Sequence, residues 1–166
     1  MVVEPTLAEM VAEAQQIIVT RAASSRSYWK TTSEGRVIET AVTFQVDAVI
    51  KGEFARERTL RFLGGRVGDT EMKVWDQEEF RAGERDLLFV NEADSPVSPI
   101  VGMMHGRFRI TSGDIVQNHA GQPLAIDARV PGAPQLLESP MGQGVSLNSF
   151  IAHIRTTARS AGVDLR

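Results

Sequence analysis

RVIETAVTFQVDAVI, residues 36–50, alternates along its whole length. Its even positions are Ile38, Thr40, Val42, Phe44, Val46, Ala48 and Ile50, all apolar but for Thr40. Its odd positions carry Glu39, Thr43, Gln45 and Asp47. A period of two is the mark of a β-strand with one buried and one wet face. At about 3.3 Å per residue the stretch spans roughly 50 Å, well beyond the usual strand of about six residues. A flat strand of that reach has no small domain to serve. A strongly curled one can belong to two faces of a small barrel. The stretch therefore predicts a closed or nearly closed β-barrel built around it.

Working outward on the N-terminal side, residues 16–22 (QIIVTRA) are β-rich and read as the preceding strand. Before them, Thr6 and Glu9 have the spacing of a capping box, and Leu7, Met10, Val11 and Ala14 form one stripe, so a short helix is predicted over 7–14. Residues 23–35 are polar, with four serines and two threonines beside Tyr28 and Trp29. They read as a hairpin loop between the first two strands. Tyr28 and Trp29 are the candidate partner-binding residues, with the alternative that both rings fold back over the barrel rim.

On the C-terminal side, residues 59–63 (TLRFL) alternate again, and Gly64-Gly65 reads as a turn needing positive φ. Trp75 and Phe80 read as plugs for the barrel's end, and 81–84 as a turn. Residues 86–91 (DLLFVN) form a short apolar run of the kind buried on both sides. Further strands are expected over 100–104, 107–111 and 114–118. Residues 121–144 hold four of the seven prolines and read as an irregular excursion, extended around Leu124 and Ile126. Ser146 caps a last helix over 147–161, with Leu147, Phe150, Ile151, Ile154, Ala158 and Ala161 on one face and Gly162 beyond its end. The whole reads as a single domain over 1–166: barrel about 16–118, excursion 119–145, C-terminal helix 146–162.

Composition bounds the function. The chain has 166 residues, 42% hydrophobic and 23% charged, with net charge −3, so no long-range field favours nucleic acid or anionic lipid. With no cysteine there are no disulfides, thiolate metal sites or cysteine nucleophiles. No apolar run approaches the roughly 20 residues of a membrane span, and no signal peptide is visible at the N-terminus.

The order of elements carries a resemblance. A capped helix leads into QIIVTRA and the long strand ending VDAVIKGE; a strand closing on LGG, an EEFRAGERDLLFV segment and the glycine-bearing VGMMHGRFRI follow. This resembles a group of uncharacterised exported bacterial proteins. Its first half is similar in layout to the netrin-like module of tissue inhibitors of metalloproteinases, over roughly residues 6–111. The resemblance implies an OB-like Greek-key β-barrel with a short N-terminal and a longer C-terminal helix, and a periplasmic or secreted location. The inhibitors' zinc-chelating N-terminal cysteine has no counterpart here, so their chemistry does not carry over.

Little in the chain points to catalysis. His105, His119 and His153 lack ligand spacing, and His153 reads as solvated among polar residues of the last helix. Glu78, Glu79 and Glu84 read as solvated acids, and no nucleophile motif occurs. No cofactor or metal is assigned. The expected function is a non-catalytic exported module, monomer or weak dimer, that binds a protein or peptide through strand edges or the 23–35 segment. The alternative is single-stranded nucleic acid or oligosaccharide on the barrel face. Arg58 and Arg61 are few for that role, and the second strand's outer face is acidic.

Overall fold

The alternating stretch folds as one arm of a long antiparallel hairpin. In the computed structural model, which describes residues 4–75, 77, 79–93, 95–127, 135–138 and 144–166, strand β1 (Gln16–Thr32) and strand β2 (Gly35–Lys51) are joined by a turn at Ser33 and Glu34. Residues 23–32 are thus strand, not loop. Their polarity marks exposure rather than irregularity. Thr31, Thr32, Tyr28 and Trp29 all favour extended backbone, and β2 pairs with them out to Thr32 opposite Gly35.

The register slips at Ala23 on β1 and at Asp47 and Ile50 on β2. Each bulge bends the ribbon and changes which residues face which side. Val42, Phe44 and Val46 keep the predicted face. Beyond the slips Val49 joins them, Ile50 packs on the opposite face, and Ala48 is exposed rather than buried.

The other strands are β3 (Glu57–Leu63), β4 (Gly65–Val67), β5 (Thr70–Met72), β6 (Arg85–Val90), β7 (Arg107–Ile110), β8 (Ile115–Gln117), β9 (Leu124–Asp127), β10 (Gln135–Glu138) and β11 (Val145–Ser146). Seven of them form one antiparallel sheet in the order β11-β8-β7-β6-β1-β2-β3; β4 pairs with β5, and β9 with β10. Three consecutive strands followed by a return beside the first, β6-β1-β2-β3, is Greek-key order. No pairing among the described residues joins the two outer edges into a ring. One backbone bond, Leu63 N–H to the Val97 carbonyl, ties β3 to the segment after β6. Residues 100–104, expected as a strand, make a single bridge at Ile100 and then turn, with Gly102 and Met103 both at φ 64. Ile100, Val101 and Met104 are nevertheless buried, which explains why they read as a strand.

Both sheet faces are covered. On one lie helix α1 (Leu7–Glu13) and helix α2 (Leu147–Ala161), over Ile17, Val19, Leu87, Phe89, Phe108 and Val116. On the other, Phe80 packs edge-on against Phe44 and tilted against Phe62, above Ile18, Leu60 and Leu88. Strand β6 is buried on both sides, as its unbroken apolar run requires. Thr6 and Glu9 form the capping box of α1, and Lys51 of β2 donates to the Val11 carbonyl at 2.8 Å, supplying the cation that α1's own last turn lacks. Ser146 caps α2, and Gly162 ends it in the left-handed region at φ 70. The buried side of α2 is Phe150, His153, Ile154, Thr157 and Ala158. His153 is therefore in the core rather than solvated, and Ala161 is exposed. No helix is long and apolar enough to cross a membrane among the described residues.

Candidate functional site

Strand β6 accompanies β1 only from Gln16 to Arg21. Past the bulge at Ala23 the outer half of β1 is paired, among the described residues, with β2 alone. The Ile38 carbonyl accepts from Gly64 N–H, away from β1. Ile38 and the residue opposite it, Trp29, are therefore a non-hydrogen-bonded pair, and the N–H and C=O of Trp29 face outward. By alternation the same holds for Ser25, Ser27 and Thr31. The result is a length of strand edge with free donors and acceptors.

Tyr28 and Trp29, adjacent in sequence, fall on opposite faces of this ribbon. Trp29, 39% exposed, lies under the Arg36 guanidinium, 4.6 Å from ring centre to Cζ. Tyr28 faces the other way and donates its hydroxyl to Glu39 Oε1 at 2.5 Å; Lys30 Nζ is 3.0 Å from Glu39 Oε2, and Arg61 Nε is 3.8 Å from Oε1. Glu39, expected on the wet face, is only 9% exposed. Burial pushes its carboxyl up, but the Tyr28 and Lys30 hydrogen bonds with the Lys30 and Arg61 charges outweigh that and hold it below the usual glutamate range. Burial, then the bond to Glu39, raises the Tyr28 hydroxyl.

On the Trp29 face, the small side chains of Ser25 and Ser27 leave room. A cavity of about 220 Å³ lies over them, with Val42, Phe62 and Phe80 at its base and residues 71–74, Gln77 and Glu79 across it. The β4–β5 arm reaches this place because Gly65 lets it. A Cβ on Gly65 would collide with Thr40 Oγ1 and Ser27 Oγ, and its φ of 137 belongs to glycine. The Gly64-Gly65 pair thus serves close approach of the arm to the ribbon as well as the turn that its sequence suggests. A wider groove continues past Lys73, Trp75, Arg81, Glu84 and Arg109. Trp75, expected as a plug, is 90% exposed on its wall; Phe80 alone takes the plugging role.

Under the groove floor sits Arg107, with no exposed surface. Its Nε is 2.9 Å from Asp86 Oδ1, another nitrogen is 3.2 Å from Glu84 Oε2, a third donates to the Glu79 carbonyl, and its guanidinium covers the Phe80 ring at 3.8 Å. Burial raises the Asp86 carboxyl pKa against the pull of Arg107. Glu84, read as a solvated acid, is part of this ion cluster; Glu78 lies outside the described residues. A signal for Arg107 was present in RFRI. Arg107 and Arg109 alternate with Phe108 and Ile110, and one face of β6 opposite them carries Asp86. The cluster fixes Phe80 and Glu79, and so the base of the cavity.

The fold brings His105 and His119 into ring contact, centroids 5.3 Å apart, which their sequence separation concealed. No group of three or more metal-ligating side chains occurs among the described residues. Comparison with known proteins finds no matching family model, no matching curated protein and no matching solved structure.

Proposed function

We propose that this chain is a non-catalytic binding module that captures an extended peptide segment of a partner protein by strand addition to the outer half of β1. The observation that carries the reading is the pairing of β1. Among the described residues, 24–32 have strand pairing on one side only, and that edge runs beside a cavity lined by Ser25 and Ser27. An added strand draws affinity from main-chain bonds and selectivity from pockets that take alternate side chains. The Greek-key order β6-β1-β2-β3 is consistent with the netrin-like, OB-type barrel that the resemblance implies. On that resemblance the module works outside the bacterial cytoplasm.

Selection of random displayed peptides against the immobilised protein tests the reading. Enriched peptides should have period-two patterns, lose binding to Ser25→Pro, which removes an outward N–H, and keep it with Ser25→Ala. Absence of enrichment, or binding indifferent to Ser25→Pro, would refute strand addition.

A second reading, single-stranded nucleic acid or oligosaccharide, has one observation in its favour. The Tyr28 face of the ribbon sets Lys30 and Arg61 against the Glu39 carboxylate, with Arg26 5.3 Å from the Tyr28 ring centre. Salt-sensitive binding of oligothymidine that is abolished by Arg26→Ala with Lys30→Ala would favour it.

A further inference from the structure

We propose that the cavity over Ser25 and Ser27 receives one side chain of the bound peptide, and that this side chain is an apolar stem ending in an N–H donor. Arrival of the side chain rests on the strand-addition reading; its chemistry follows from the cavity alone. At about 220 Å³ the space suits a single large side chain. Its base is apolar: Val42, Phe62 and Phe80.

The cavity's charged lining is mixed, Glu71 and Glu79 with Arg66 and Lys73, and the two polar groups whose hydrogen bonds fix their orientation, Gln77 and Ser27, present acceptors. Gln77 Nε2 donates to the Leu63 carbonyl at 2.6 Å, which fixes the amide's orientation and leaves Oε1 as its other end. That Oε1 is buried and has no hydrogen-bond partner. Thr40 Oγ1 donates to the Gly64 carbonyl at 2.7 Å, so the 2.8 Å contact between Ser27 Oγ and Thr40 Oγ1 uses the Ser27 proton. Ser27 is left as an acceptor too. A native fold rarely leaves a buried acceptor unmet without a use for it. A ligand head that only accepts, such as a carboxylate, leaves Gln77 Oε1 unpaired and meets a second lone pair at Ser27. An ammonium or guanidinium head has donors enough for both and an indole N–H serves one, and all three lack acceptors of their own.

Nuclear magnetic resonance titration of the full chain with small probes tests this without a peptide. Butylguanidinium, butylammonium and 3-methylindole represent the donor heads; pentanoate is the acceptor control. At least one donor probe should shift the Gln77 side-chain amide and the Phe62 and Phe80 rings saturably, about tenfold tighter than pentanoate. Gln77→Leu, checked for an unchanged backbone spectrum, should abolish the preference. Equal response to pentanoate, or no saturable response to any probe, overturns the cavity assignment. The comparison within wild-type protein decides even if Gln77→Leu misfolds. Peptides selected by the Ser25 edge that ignore donor side chains would overturn this assignment and leave strand addition standing.

Discussion

Arg107 shows how one side chain can organise a site without touching a ligand. Its charge is removed from water and compensated by Asp86 and Glu84, and its flat guanidinium presses Phe80 onto the opposite core. Truncating one member of such a cluster leaves the other charge buried and unpaired, which costs about 3–5 kcal/mol. Arg107→Ala is expected to lose stability on that scale in urea denaturation and to loosen the cavity base, read as broadened Phe80 resonances. Glu39 makes a prediction of the opposite kind, about pH. Its folded pKa lies below the ordinary value of 4.5, so its contribution to stability is present above that value and is lost as pH falls through the lowered folded pKa. The stability gap between wild type and Glu39→Gln should be constant near neutrality and close in acid. A gap that widens in acid would reverse the assigned sign. Tyr28 and Trp29 stood out in the sequence as a pair; only the strand assignment reveals that they serve different faces.

Among the elements, those defined by local pattern were legible. Thr6 with Glu9, and Ser146 with Gly162, bracket helices where they were expected. The period-two face of β2 is buried through Val46. Phe44→Ala should therefore cost about 3–5 kcal/mol, while Gln45→Ala should stay within about 0.5 kcal/mol; equal losses in denaturant titrations would mean that the register is wrong. In residues 23–32 polarity marks an exposed strand, although the same composition is typical of a loop. Serines and threonines at 24–32 have no local partner to reveal them, and their strand is imposed by β2 across the hairpin. The converse holds at 100–104, where an apolar run of the kind expected in a strand is buried in a turn. Helix α2 covers the sheet of its own chain through Phe150, Ile154 and Ala158. Ending the chain after Gly144 should expose that apolar face and produce aggregation or hydrophobic-dye binding. A monomer with an unchanged melting temperature would show that the helix contributes nothing to the core.

At the scale of the molecule, the mainly β class and the helices at both ends follow from pattern, whereas the strand order does not. Nothing local tells β6 to return beside β1, and the cavity exists only because of that return and the arm anchored at Gly65. Arg107 likewise becomes a buried hub only when β7 is laid beside β6. Strand addition needs an open outer edge on β1, and amide-resolved hydrogen exchange across residues 24–32 reads that edge directly. In the free protein the amides facing β2 should be protected and those of Ser25, Ser27, Trp29 and Thr31 should exchange freely. A peptide selected for binding should then protect the second set. Uniformly fast exchange would return the segment to a loop, and outward amides that stay unprotected with the peptide bound would contradict strand addition.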